Sequence, residues 1–231
     1  MAHMEQMEFV HKLRRRFPDR FVNKRVLEIG SLDINGTIRT LFNDCAYTGL
    51  DVGEGPGVDV VCQGQEYDAP ASSYDVVICC EVMEHNPYWK ETLANMFRLC
   101  APGGLVIMTC ASTGRKEHGT TRTSSVDSPL SIGIGWEYYR NLTAADFHAA
   151  LDLSESLAPF GFFTDWNSSD LYLVGWRRGA APPQGAARDM VRLAWTYRWI
   201  NAGAVVAKLK RATLIALVGE KRYLAGPIRF W

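Results

Sequence analysis

The feature that most constrains this chain is a succession of short, almost unbroken apolar runs: Arg25–Ile29, Ala46–Asp51, Val58–Cys62, Tyr74–Cys80 and Leu105–Cys110. A strand covered on both faces loses the polar alternation of a half-exposed one, so runs of this kind mark a parallel sheet packed between helices. Helix-length segments separate several of them. The pattern predicts an α/β, doubly wound, Rossmann-like fold: a mostly parallel sheet, helices on both faces, a closing antiparallel strand and a C-terminal helical appendage. With 231 residues, 47% of them hydrophobic and 22% charged, the chain is long enough to bury one core of that kind.

The remaining segments fit around this sheet. Gln6–Arg16 reads as an amphipathic helix, with Phe9, Val10, Leu13 and Phe17 on one side and Pro18 as its stop. Ile38–Asn43 reads as a short helix, Trp89–Cys100 as a longer one, and Thr143–Ala158 as a helix capped by Thr143. Phe160–Trp166 and Leu171–Trp176 form a closing pair of strands. Residues 111–140 make a long polar and aromatic loop, a length that in a compact domain marks function or disorder. The division expected is a vector remnant over 1–4 (Met-Ala-His-Met), a main domain over 5–178, a linker over 179–187 and a basic amphipathic tail over 188–231. The tail reads as two helices, Arg188–Ile200 and Ala202–Leu217.

Charge excludes little. The net charge is zero, which gives no argument for DNA as a partner, but nine Lys/Arg and two acids fall in residues 188–231. A basic amphipathic segment suits packing on the sheet or against a second copy of the chain, the favoured readings, and also a membrane surface or a protein partner. The six cysteines form no Cys-x-x-Cys pair and lie mostly in apolar runs, so they read as free thiols in a reducing compartment. No apolar run reaches the ~18–20 residues of a membrane span. The expected location is the cytoplasm, with the tail able to touch the inner face of a membrane.

In open α/β sheets, ligands bind beyond the carboxyl ends of the strands. The first strand runs into Val26-Leu27-Glu28-Ile29-Gly30-Ser31-Leu32-Asp33-Ile34-Asn35-Gly36, where Gly30 lets a ligand approach the backbone. The second ends in Gly49-Leu50-Asp51, an acid able to accept from both hydroxyls of a ribose. The fourth closes in Cys79-Cys80-Glu81-Val82-Met83-Glu84-His85, and Ala101-Pro102-Gly103-Gly104 leads into the fifth. Over roughly residues 20–177 these features, in this order, resemble the class I S-adenosylmethionine-dependent methyltransferases. The resemblance implies S-adenosylmethionine as cofactor, Glu28, Gly30, Ser31 and Gly36 around its methionine end, and Asp51 with Val52 at the ribose. It places Gln63 and Gly64 at the adenine and Cys80 and Glu81 at the sulfonium. The sequence departs from the family's Gly-x-Gly turn, which is Gly30-Ser31-Leu32 here, and has Gln63 where an acid is common.

Methyl transfer to a hydroxyl needs positioning and removal of a proton. His85 stands where the methyl group should point, and His118 in the long loop is the second candidate. The Glu-x-x-Glu-His spacing is also similar to a metal-binding pattern in some O-methyltransferases, including ones acting on RNA 2′-hydroxyls. Glu81, Glu84 and His85 are therefore candidate ligands of Mg²⁺ or Mn²⁺. Arg115, Lys116, His118 and Arg122 could meet a phosphate or carboxylate, and Trp136, Tyr138 and Tyr139 could stack on a ring. The expected acceptor is a hydroxyl of a small molecule, a sugar or nucleotide-sugar of a surface glycan or natural product. The alternatives are a metal-dependent RNA 2′-O-methyltransferase and a non-catalytic cofactor-binding module working through its basic tail. A nicotinamide oxidoreductase fits less well, for want of Gly-x-Gly-x-x-Gly after the first strand.

Overall fold

The computed structural model describes residues 3–218. Seven strands form one sheet in the order β3-β2-β1-β4-β5-β7-β6. These are β1 (Arg25–Ile29), β2 (Ala46–Asp51), β3 (Val60–Val61), β4 (Tyr74–Cys80), β5 (Cys100–Ala111), β6 (Leu157–Asp165) and β7 (Asp170–Arg177). Every pairing from β3 to β5 is parallel, and β7 runs antiparallel between β5 and β6. The order reverses at β1 and β4, the neighbouring central strands, which places the ligand crevice beyond Ile29 and Cys80.

Among the described residues six α-helices surround the sheet: α1 (Met4–Arg16), α2 (Trp89–Leu99), α3 (Pro129–Gly133), α4 (Ala144–Ala150), α5 (Leu153–Ser156) and α6 (Ala186–Val218). Alternate residues of the central strands enter two cores, as the two-residue period of a strand requires. Val26, Val76, Ile78 and Ile107 face α1 and α6, meeting Phe9, Leu13, Leu193 and Tyr197. Leu27, Val77, Cys79 and Met108 face α2 and α4, meeting Leu93, Met96 and Phe147. The first of these faces lacks a full helix after β1. Only a 3₁₀ turn, Ile38–Leu41, stands there, its start capped by Thr37 Oγ1, which accepts from Arg39 N at 3.0 Å.

Several boundaries differ from those expected. The predicted helix over 143–158 breaks at Leu151 into α4 and α5, and β6 already begins at Leu157. α4 keeps the expected cap, with Thr143 and Asp146 forming a reciprocal capping box. The two helices read in the tail are one, α6, because Asn201 does not end it. Its side-chain oxygen accepts from Trp166 N at 2.9 Å and its amide donates to Thr164 O at 2.9 Å, tying the helix to β6. The tail also starts inside the core, since Ala186, Met190, Leu193 and Tyr197 are buried against α1 and the sheet. The opposite face of α6 leaves Val191, Trp195, Trp199 and Leu209 exposed. Among the described residues no helix is long and apolar enough to cross a membrane. Met1, Ala2 and the tail's end, 219–231, lie outside the described residues.

Candidate active site

The carboxyl ends of β1, β2 and β4 border a cleft whose wall runs from Ile29 and Gly30 through Asp51 to Cys80 and His85, the place where open α/β sheets bind their ligands. Its floor is laid by two linked turns. Gly30 N and Ser31 N donate to Leu50 O at 2.8 and 3.1 Å, which bends the chain off β1 onto the end of β2. Asp51 holds the bend. Its Oδ2 accepts from Leu32 N at 2.9 Å and its Oδ1 from Val52 N at 2.8 Å. Burial pushes the Asp51 carboxyl above its ordinary range, and those two N–H groups oppose the rise. Gly30 lies at φ +82°, and a Cβ there would stand 2.0 Å from Val82 Cγ2. The position admits only glycine without rearrangement.

The sequence-predicted cofactor residues divide between two adjoining spaces. Gly30, Asp51, Val52, Gly64, Cys80 and Glu81 line the cleft. Glu28, Ser31 and Gly36 line a smaller space that shares Gly30, Leu32 and Cys80 with it. Gln63 does not line either space. Its side-chain oxygen already accepts from Gln65 Nε2 at 2.6 Å, and Cys62 takes the place in the cleft wall. Glu28 accepts from the Tyr47 hydroxyl at 2.7 Å. Burial pushes its carboxyl up to about 7, despite Tyr47 and the nearby Arg39.

The smaller cavity contains a residue the sequence reading passed over. Gln6, on the first turn of α1, is fully buried, and among the described residues both atoms of its amide lack a hydrogen-bond partner. Ser31 Oγ lacks one too. Buried polar groups without partners are rare and costly. Here three such atoms border one space, which suits the amino and carboxyl groups of an amino-acid ligand. In the sequence Gln6 serves only as the first residue of the expected helix Gln6–Arg16, so nothing local singles it out.

At the other end of the cleft the chain leaves β4 sharply. Glu81 has φ +54°, unusual for a residue with a side chain, and its N–H donates to Thr109 O at 2.9 Å. A 3₁₀ turn, Met83–His85, follows. The result separates the three residues read as one metal-ligand set. Glu84 and His85 converge with His118, while Glu81 turns to His3 and Asp170; in each group the ligating atoms lie within 4.8 Å of one another. Of the three residues the spacing groups, the structure brings Glu84 and His85 together with His118, while Glu81, at a left-handed backbone position, sits with His3 and Asp170.

His85 is buried and its Nδ1 has no partner among the described residues. Burial, with the charge of His118, pushes its pKa down to about 3, so the imidazole is neutral across the physiological range. Glu84 Oε1 accepts from Ala111 N at 3.1 Å while Oε2 is unpartnered, and burial beside Glu81 pushes this carboxyl well up. His118 is half-buried, its ring 5.0 Å from that of His85 and 5.1 Å from that of Tyr139.

The long loop folds over this end. Its segment 125–136, with α3, contributes Ser128, Leu130 and Trp136 to the cleft wall, and Trp136 lies 5.7 Å from the Tyr88 ring. The loop's cations are largely engaged. Arg122 pairs with Glu117 at 2.7 Å and Glu137 at 3.6 Å, and Arg115 donates to Ser168 O at 2.8 Å. Lys116 is exposed, and Tyr138 packs on the second core rather than into the cleft.

A sheet of this strand order, with glycine, acid and imidazole at the carboxyl ends of its central strands, defines a class I S-adenosylmethionine-dependent methyltransferase. A family profile described as "Methyltransferase domain" matches residues 1–165, and the chain belongs to that family. Among solved structures, a phosphoethanolamine N-methyltransferase 2 from Haemonchus contortus in complex with S-adenosyl-L-methionine is similar, with a TM-score of 0.53 at 13% identity. That match covers 74% of this chain and 52% of the other. The CurJ carbon methyltransferase matches with a TM-score of 0.50 at 17% identity, over 75% of this chain and 53% of that one. This chain thus spans about half of either protein, and at these identities the likeness is one of fold. No curated protein matches the chain.

Proposed function

We propose that this chain transfers the methyl group of S-adenosylmethionine to a hydroxyl of a small polar molecule, with a sugar as the favoured class. The observation that carries the reading is His85, a buried, neutral imidazole with a bare Nδ1 in the wall of the cleft that also holds Gly30 and Asp51. When bound, the cofactor supplies an activated methyl on sulfur. Gly30 admits it close to the backbone, and each Asp51 oxygen has a lone pair left to accept from a ribose hydroxyl. Gln6, Glu28 and Ser31 are the groups offered to its amino-acid end, and Val52, Cys62 and Gly64 those offered to its base.

His85 then accepts the hydroxyl proton. A hydroxyl oxygen becomes strongly acidic as it gains a methyl group, so even an imidazole lowered by burial is basic enough to take the proton late in the transfer. Trp136 beside Tyr88 offers an apolar wall for a ring. The pairing of Arg122 and the inward turn of Arg115 leave few loop cations for a nucleic-acid backbone, which favours a small molecule over RNA.

A specific observation also favours a divalent cation here. Glu84 Oε2 and His85 Nδ1 are buried without partners, and with His118 they form a compact carboxylate–imidazole set. These residues would hold Mg²⁺ or Mn²⁺, which would supply electrostatic activation of the acceptor oxygen. The exposed outer face of α6, with its two tryptophans among basic residues, suits peripheral contact with an anionic membrane or a second copy.

The test is release of S-adenosylhomocysteine across acceptors bearing hydroxyl, amine or carbon nucleophiles, with and without EDTA. His85→Ala is expected to slow hydroxyl methylation by ~10²–10⁴-fold at unchanged cofactor affinity. Turnover that survives EDTA supports the base, and turnover restored by Mg²⁺ or Mn²⁺ supports the metal. Transfer confined to amines or carbon acids overturns the hydroxyl reading.

A further inference from the structure

We infer that Glu81 and Asp170 form a subsite for the protonated amine of the methyl acceptor, and that the His3 imidazole fills that subsite in this structure. The inference rests on the reading of the cleft as a methyltransferase acceptor site and names the acceptor's class: a small molecule that carries an amino group as well as the reacting hydroxyl.

Topology brings the two acids together. Glu81 follows the last residue of β4 and is tied to Thr109 of β5, while Asp170 opens the antiparallel β7 opposite Ala111 of β5. Both therefore stand at the carboxyl edge of β5, and Glu81 also lines the cleft. Their side chains are 2% and 0% exposed. Two carboxylates so deeply buried are costly to a fold unless a cation pairs with them, and apolar residues would serve stability better.

The neighbouring groups, Arg115 and the His3 of the segment read as a vector remnant, answer that demand incompletely. Arg115 Nη1 stays 3.7 Å from Asp170 Oδ1 and gives its short hydrogen bond to Ser168 O instead. His3 Nε2 lies 3.0 Å from Asp170 Oδ2 and 3.5 Å from Glu81 Oε2, yet makes an aligned hydrogen bond to neither. Among the described residues both oxygens of Glu81, Oδ1 of Asp170 and Ser168 Oγ are left without hydrogen-bond partners. Burial disfavours a charged His3, but the two carboxylates beside it outweigh that and push its pKa up to about 10. The site thus holds one nitrogen cation at contact distance from two acids, with unspent acceptors around it. An alkylammonium, a compact charge with three hydrogens, matches that inventory better than a single imidazole N–H.

The same environment fixes what the amine does. Between two carboxylates it keeps its proton and has no lone pair to attack a methyl group. It is therefore an anchor, and the nucleophile is the hydroxyl presented toward His85.

His3→Ala vacates the subsite without touching the sheet. Methylammonium and imidazole are then expected to raise the variant's melting temperature saturably, by ~5–10 °C at a hundred dissociation constants, with little effect on the parent protein. Adding Glu81→Gln or Asp170→Asn should abolish the response. Acetamide, neutral and of similar size, should give none. No response to either cation, or an equal one to acetamide, overturns the inference, and a response confined to Mg²⁺ or Mn²⁺ makes the site a metal site instead. Should His3→Ala fail to fold, His3→Lys and His3→Gln decide: the lysine supplies its own ammonium and should melt near the parent, the glutamine well below it. Equal melting of those two variants overturns the inference as well. All these readouts need neither cofactor nor turnover, so their failure leaves the hydroxyl reading to its own test.

Discussion

Replacing Gly30 by alanine tests whether the turn after β1 is built against the turn after β4. The new Cβ would lie 2.0 Å from Val82 Cγ2, less than any real carbon–carbon contact, and φ +82° lies where only glycine is unstrained. The left-handed backbone costs a substituted residue roughly 1–2 kcal/mol, and overpacking a filled space adds about 1–3 kcal/mol. At roughly 2–4 °C per kcal/mol for a domain of this size, Gly30→Ala should melt ~5–15 °C below the parent. Calorimetry should also show weaker binding of S-adenosylhomocysteine, because Val82 leads directly into the turn that carries Glu84 and His85. The two contributions are separable. Val82→Ala in the Gly30→Ala background removes the clash and leaves the backbone strain, so a double-mutant cycle should show a coupling of about 1–3 kcal/mol. Additivity within about 0.5 kcal/mol would refute the reasoning, since it would mean that the two residues do not meet.

Three further outcomes follow from the site and its supports. Asp51→Ala should weaken S-adenosylhomocysteine binding by roughly ten- to hundredfold, the about 1.5–3 kcal/mol of a charged hydrogen-bond partner, and unchanged affinity by calorimetry would remove Asp51 from the site. Glu28 binds its proton more tightly folded than unfolded, with its pKa raised from 4.5 to about 7, so its contribution to stability falls as pH rises through that window. Glu28→Gln should flatten the loss, at most about 3 kcal/mol, in denaturant titrations from pH 4.5 to 8; an unchanged slope would place the titration elsewhere. Leu193→Ala, within the buried face of α6, should cost about 2–5 kcal/mol in chemical denaturation, while Trp199→Ala, at a residue 71% exposed, should change stability by less than about 0.5 kcal/mol. Equal effects would mean that α6 does not pack as described.

What the sequence made legible is the sheet. Val76–Cys79 and Leu105–Cys110 are wholly buried, and a strand buried on both faces advertises itself as an apolar run wherever it occurs. The acid ending β2 and the glycine ending β1 were legible for the same reason, since a strand's end marks the ligand side. Features decided by tertiary bonds were not. Asn201 reads as a helix breaker and is instead fastened to Thr164 and Trp166, which holds α6 straight through it. The Glu-x-x-Glu-His spacing suggests one ligand cluster, yet Glu81 sits with His3 and Asp170 while Glu84 and His85 sit with His118. Asp170 carried no local signal, because it belongs to the site only through the antiparallel insertion of β7 beside β5.

The same reasoning explains why α1 bears on the site although it begins far from every motif in the chain. With only a 3₁₀ turn after β1, that face of the sheet needs another cover, and α1 supplies it through Phe9, stacked 4.2 Å from Tyr172. Phe9 lies three residues, close to one helical turn, beyond Gln6, and the helix begins just after its cap His3, so anchoring Phe9 on β7 brings the start of α1 to the carboxyl ends of the strands. There Gln6 meets the smaller cavity and His3 meets Glu81 and Asp170. One aromatic contact in the core thus sets the position of both polar residues. Phe9→Ala should accordingly lower stability by about 3–5 kcal/mol and also weaken cofactor binding, though Phe9 itself lines neither space. A Phe9→Leu variant keeps enough volume to fold. If it binds S-adenosylhomocysteine as tightly as the parent while melting lower, α1 is only a cover and not part of the site.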